Sequence, residues 1–129
     1  MADNVDVIEK LWEAFSAGDV EKAAARFAND GKVVFPETLP WGGTHEGPEG
    51  VSDAMLLLRG SFDEFAAKPE MILGADDDHV AVIVKVNAKA KGGRFDGTIC
   101  WLYKLRDGKI ARAEAFPDTA RIREVLGKP

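Results

Sequence analysis

Apolar residues recur at helical spacing from the start of the chain. Val5, Ile8, Leu11, Trp12 and Phe15 fall on one face, which predicts an amphipathic first helix. Gly18 closes that helix and Asp19 caps the next. Val20, Ala23, Ala24 and Phe27 form the stripe of a second, short helix ended by Asp30-Gly31, and Val33-Val34-Phe35 reads as a brief strand halted by Pro36. Residues 36–48 show no period. They hold the breakers Pro40 and Gly42-Gly43, with Trp41 and His45 among polar residues. Pro48 suits the first turn of a third helix, whose buried stripe is Val51, Ala54, Met55 and Leu58 and whose stop is Gly60.

The period then changes to two. Val80, Val82, Val84 and Val86 alternate with Ala81, Ile83, Lys85 and Asn87, a strand pattern. Gly92-Gly93 turns the chain into a second long strand over 94–106, and Asp107-Gly108 is a two-residue hairpin signal leading into a third over 109–116. A further strand is expected over 70–74, before the acidic turn Asp76-Asp77-Asp78-His79. Asp118 or Thr119 caps a closing helix with Ile122, Val125 and Leu126 on one face. No linker or repeat interrupts the order, so 1–129 is expected to be one domain of α+β class, with helices on one face of a strand meander.

Composition narrows the partners. Hydrophobic residues make up 46% and charged residues 30%, a globular balance. The net charge of −5 comes with no dense basic cluster, so no nucleic-acid partner is expected. The lysines Lys85, Lys89 and Lys91 share one parity and fit a solvated or edge-protecting face. The single cysteine, Cys100, excludes an internal disulfide and a multi-cysteine zinc site. No leader-like or membrane-spanning run is legible, so the expected location is the cytoplasm, with no membrane contact. No Ser-His-Asp set, phosphate loop or dinucleotide fingerprint is recognisable, His79 fits a solvent-exposed turn, and no metal site or cofactor is expected.

Four places carry a resemblance to a known family. Ala17-Gly18-Asp19 joins the first two helices, and Phe27-Ala28-Asn29-Asp30-Gly31 leads into the first strand. The loop Pro40-Trp41-Gly42-Gly43-Thr44-His45-Glu46-Gly47 enters the third helix, and Leu105-Arg106-Asp107-Gly108-Lys109-Ile110 makes the last hairpin before Asp118-Thr119-Ala120. In order and spacing these resemble the SnoaL-like proteins of the nuclear-transport-factor-2-like superfamily, which include polyketide cyclases, ketosteroid isomerases, epoxide hydrolases and dehydratases. The resemblance implies a cone: a curved antiparallel sheet wrapped around a hydrophobic pocket covered by three N-terminal helices, with a homodimer through the outer sheet face. Fold does not fix function. Where ketosteroid isomerases carry a base aspartate before a proline, this chain has Phe35 before Pro36; their helix tyrosine falls near Leu11, and their acidic strand partner falls at Trp101. That machinery is absent. Arg112 and Glu114 match an epoxide-hydrolase arrangement only in part.

The hairpin gives a geometric expectation of its own. Counting back from Asp107-Gly108, Leu105 faces Ile110, Tyr103 faces Arg112, Trp101 faces Glu114, and Ile99 faces Phe116. The expected pocket face therefore carries Trp101, Tyr103, Arg112, Glu114 and Phe116, and the expected dimer face carries Cys100, Leu102, Ala111, Ala113 and Ala115. Beside an indole, Glu114 would have a raised pKa suited to proton transfer; its other reading is an open-face salt bridge with Arg112 or a lysine. His45 in the glycine-rich loop is either a proton carrier at the pocket mouth or a loop histidine bonded to backbone. Glu37 is an alternative base or an exposed loop residue. Trp12, Trp41 and Met55 are expected to line the pocket.

The resulting expectation is a small-molecule pocket protein: a cofactor-independent isomerase, cyclase or hydrolyase acting on a hydrophobic metabolite. Glu114 or His45 would move the proton, and Tyr103 or Arg112 would stabilise charge on a carbonyl oxygen. The alternative is a non-catalytic ligand-binding or interaction module of the same fold. An apolar pocket without ionisable residues favours the second; a carboxylate and a histidine converging inside it favours the first.

Overall fold

The computed structural model describes residues 3–127. Helix α1 (Asn4–Ser16) starts where the Asp3 carboxylate accepts the Val5 N–H, and α2 (Val20–Ala24) where Asp19 accepts the Lys22 N–H. Strand β1 (Phe27–Phe35) and β2 (Gly43–Glu46) precede α3 (Gly47–Gly60). Strands β3 (Glu64–Gly74), β4 (His79–Ala90), β5 (Gly93–Arg106) and β6 (Lys109–Phe116) follow, and α4 (Thr119–Val125) is capped by Asp118.

One curved sheet takes the order β2-β1-β6-β5-β4-β3. Its β3-β4-β5-β6 part is the expected antiparallel meander, but β1 runs parallel to β6, so the sheet is mixed rather than antiparallel. The concave face and the helices enclose one contiguous core, from Ile8 and Leu11 on α1 through Val51 on α3 to Val82, Val84 and Ile110 on the strands. Among the described residues no helix is long and apolar enough to cross a membrane.

Several boundaries differ from the sequence expectation, each for a local reason. Helix α2 stops at Ala24 and Phe27 opens β1, so Asp30-Gly31 lies inside the strand, where the register shifts between Phe27 and Lys32. The breaker-rich segment 36–48 still yields β2, because His45 and Thr44 find partners in Val33 and Val34. Strand β3 begins six residues before the expected 70–74 segment, at Glu64. It is an edge strand, so Pro69 is tolerated at a bulge facing no further ladder.

The largest departure is in the last hairpin. Asp107 (φ 52°) and Gly108 (φ 76°) form the expected two-residue turn, and Arg106 and Leu105 pair with Lys109 and Ile110. The register then shifts: Lys104 faces Arg112, Tyr103 faces Ala113, Trp101 faces Ala115, and Cys100 faces Phe116. Ala111 is the extra residue of a bulge, and a one-residue slip turns every later side chain to the opposite face. Ala113 and Ala115 therefore enter the core, while Arg112, Glu114 and Phe116 stand on the outer face. This corrects their placement on the pocket side.

Candidate functional site

Behind the helices lies a cavity of about 60 Å³ with 21 lining residues, none of them Asp, Glu, His, Lys or Arg. Period-two strands supply one wall: Val84 and Val86 from β4, Ile99, Trp101 and Tyr103 from β5, and Ala115 from β6. Helix α1 supplies Leu11, Trp12 and Phe15, three positions that helical spacing places on one face, and α3 supplies Met55 and Leu58. Ile122 of α4 and Pro117 also reach the cavity, whereas α2 contributes no lining residue and braces α1 and α3. Helices α1, α3 and α4 therefore line it.

The segment between β1 and β2 completes the enclosure. Leu39 and Trp41 are buried against the cavity, and the Trp41 ring lies 5.7 Å from that of Phe62. Two consecutive turns shape it, with Leu39 N–H donating to Pro36 O and Gly42 N–H to Leu39 O. A Cβ at Gly42 would sit 2.4 Å from Pro36 O, so the fold of this strap requires glycine. His45 holds it from β2: its Nε2 is 2.8 Å from the Trp41 carbonyl oxygen, and its ring meets Phe35 edge-on at 6.3 Å. His45 lines no part of the cavity. It is bonded to backbone, from a strand rather than from a loop.

The rings are packed edge to face. Trp101 lies 5.4 Å from Phe35 and 6.0 Å from Trp12, both near perpendicular, and stacks at 13° on Tyr103. Three polar atoms belong to these rings: the Trp12 and Trp101 indole nitrogens and the Tyr103 phenol oxygen. Burial pushes the Tyr103 phenol far above its ordinary pKa, so the group is neutral and protonated at physiological pH; the nearby Trp12 indole offsets only part of that shift. The Trp12 Nε1–H itself is buried and makes no hydrogen bond.

Charged groups stand outside. Arg112 and Glu114 pair with each other at 3.0 Å on the exposed outer face, a contact worth little in water. Glu114 faces Leu102 across the ladder, not Trp101, so it has no indole to press against. Arg59, near the end of α3, donates to the Phe15 carbonyl at 2.8 Å and lies over the Phe15 and Phe65 rings, which themselves line the cavity. Glu37 is exposed. Among the described residues no group of three or more His, Cys, Asp or Glu is placed to hold a metal ion.

Of the candidate residues, the structure brings Trp12, Trp41, Met55, Trp101 and Tyr103 to one cavity and leaves His45, Arg112, Glu114 and Phe116 off it. Leu39, Phe62, Phe65 and Phe95 are lining residues that the sequence reading missed. The misplacement of β6 had a signal: inward Arg112 and Glu114 would bury two charges, whereas the other parity offers two alanines.

Among solved structures the chain is similar in fold to an NTF2-like protein from Burkholderia thailandensis, with 18% identity, 100% of each chain covered and a TM-score of 0.89. It is similar to TerC, co-crystallised with polyporic acid, at 22% identity over 97% of this chain and 98% of that one, with a TM-score of 0.86. IdmH from Streptomyces antibioticus, whose proposed activity is that of a polyketide cyclase, has 24% identity over 98% of this chain and 99% of its own, with a TM-score of 0.79. No curated protein matches the sequence. The SnoaL-like domain family matches over residues 8–113, from the middle of α1 to the inward-facing Ala113 of β6. The chain belongs to the SnoaL-like domain family.

Proposed function

We propose that this protein binds a neutral, largely apolar small molecule in the cavity and that holding it, rather than moving a proton on it, is the basis of its activity. The observation that carries this reading is the lining: rings, aliphatic chains and one neutral phenol, with the carboxylates and the imidazole elsewhere. An apolar cavity offers a water molecule too few partners to hold it, so an organic occupant is favoured over solvent. The co-crystallisation of TerC with polyporic acid puts a small organic molecule on a protein of the same fold and supports the reading.

The rigid bicyclic hydrocarbon indane tests it. Calorimetric titration is expected to show one site per chain. Ala115→Leu, which extends into the cavity from β6, is expected to weaken binding by about tenfold through overfilling. Absence of saturable binding to the parent protein, or equal binding to the filled variant, would remove the cavity as the site.

Cofactor-independent isomerisation, cyclisation or hydration is the second reading. It rests on the neutral Tyr103 hydroxyl in the lining, a donor that an oxygen-bearing substrate could use, and is supported by the proposed cyclase activity of IdmH. With no base in the lining, such chemistry would come from orienting a reactive substrate rather than from a proton relay.

We further propose that a second copy of the chain covers the outer sheet face. The register aligns Met71, Ile83, Cys100 and Phe116 in one row across four strands and Leu73, Ala81 and Leu102 in the next. Met71, Leu73, Leu102 and Phe116 are exposed there, an apolar patch at mid-sheet, with Glu114 across the ladder from Leu102. Light scattering at micromolar concentration is expected to give a dimer for the parent protein and a monomer for Leu102→Glu. A parent monomer, or a variant that still dimerises, would show that this face does not join two copies.

A further inference from the structure

The cavity is smaller than a ring-shaped ligand requires. Its volume is about 60 Å³, whereas an engineered dry cavity that holds benzene measures about 150 Å³. Such a ligand enters only when part of the wall moves. Most of the lining is buried, but Leu58, Phe62, Phe65 and Ala67 are half-buried, so they face the cavity and also reach the surface. All four belong to the stretch where α3 ends and β3 begins. The other two half-buried lining residues, Ile99 and Pro117, lie in β5 and directly after β6, where ladder bonds fix the backbone.

The corner between α3 and β3 is lightly tied. Only residues 61–63 join the two elements, and β3 is an edge strand with a single neighbour. Arg59, half-buried in the last turn of α3, fastens the corner to its surroundings. Its Nη1 donates to the Phe15 carbonyl of α1 at 2.8 Å, and its guanidinium lies 5.1 Å from the Phe15 ring centre and 5.6 Å from that of Phe65. No carboxylate pairs with Arg59 among the described residues, so its hold is one hydrogen bond and two ring faces. Ser16 separately donates to the Ala67 carbonyl at 2.9 Å, which keeps α1 and β3 joined. Ala54 and Met55, one turn before Leu58 and Arg59, are anchored in the core. The piece left to swing is the end of α3, carrying Leu58 and Phe62.

We propose that this corner is the gate of the cavity and that Arg59 is its latch: release of the Phe15 carbonyl and the two rings lets Leu58 and Phe62 swing outward and admits the ligand. This rests on the cavity reading above and adds the route by which the cavity fills. A latch without a carboxylate suits the task, because a partly buried charge pair would cost more to part. Closure restores the ring contacts of Phe62 with Trp41 and Phe65, both at 5.7 Å, and shuts out water.

All three tryptophans of the chain line the cavity, so stopped-flow tryptophan fluorescence with indane reads its filling. Arg59→Met keeps an aliphatic stem and removes the donor and the charge. It is expected to raise the association and dissociation rate constants together, each by about tenfold, since losing the latch populates the open gate. Their ratio is expected to stay within about twofold of the parent, because the gate is closed over both the empty and the filled cavity. Arg59→Lys, which can still donate and place a cation near the rings, is expected to fall between the two. A purely structural role for Arg59 would instead weaken binding through faster dissociation alone. That result, or rates that neither substitution moves, would overturn the gate while leaving the cavity in place. Absence of saturable indane binding to the parent protein would overturn the cavity reading and the gate with it.

Discussion

Trp101→Ala is expected to lower the folding free energy by about 3–5 kcal/mol, the usual cost of deleting a buried tryptophan ring. The ring is 8% exposed and is the hub of the aromatic cluster, meeting Phe35, Trp12 and Tyr103. Its neighbours on the same sheet face are Val82 of β4 and Ala115 of β6, neither long enough to fill the space it leaves. For a domain whose total stability lies in the usual range of about 5–15 kcal/mol, that is a large fraction. The melting temperature should fall by about 12–20 °C. Trp101→Phe keeps a ring at the hub and should lose less than half as much. A loss under about 1 kcal/mol for the alanine variant would mean that the ring does not pack at the centre of this cluster.

The same residue shows how much of the fold and site the sequence makes legible. Trp101 and Tyr103 are two apart on a strand whose burial alternates from Trp101 to Leu105, so their shared inward face follows from the period. Trp12 follows likewise from the stripe of α1, and Met55 from that of α3. Strand β6 is different. Residues 109–116 alternate whichever parity is chosen, and the bulge at Ala111 leaves no mark in the period. Two neighbours meet β6 at that point: β5, across the hairpin, and β1, in parallel and distant in sequence. The parallel contact is a long-range event with no local signal. Trp41 sits in a segment without periodicity, and its burial depends on His45 and on Arg123 of α4, which donates to the Thr38 carbonyl. The aromatic content of the site is therefore a property of the sequence pattern, while its lack of charge is a property of one bulge.

That dependence makes Gly31 the position where the smallest substitution should have the largest structural consequence. Gly31→Ala is expected to destabilise the protein by about 2–3 kcal/mol, the overpacking range, and Gly60→Ala to be neutral or stabilising by up to about 1 kcal/mol. A Cβ at Gly31 would lie 2.5 Å from the carbonyl oxygen of Ile110 and 3.0 Å from that of Ala28, both backbone atoms that cannot swing away. A Cβ at Gly60, in the last turn of α3, would meet nothing within 4 Å. Gly31 lies in the shifted stretch of β1 between Phe27 and Lys32, opposite the β6 segment from Ile110 to Arg112 that carries the bulge. The Ile110 N–H is tied to the Arg26 carbonyl at 2.9 Å, which anchors the residue whose carbonyl oxygen Gly31 meets. Relief is available if β6 gives up its extra residue, but that slip would carry Arg112 and Glu114 to the cavity side and Ala113 and Ala115 out of it. Burying that pair in place of two alanines costs more than the contact it relieves, so the variant is expected to stay in register and lose stability instead. Thermal melting read beside amide exchange at Arg112 and Ala113 separates the two responses. A variant as stable as the parent, with unchanged protection along β6, would show that Ile110 does not approach Gly31 so closely and that something other than this glycine keeps charge out of the cavity.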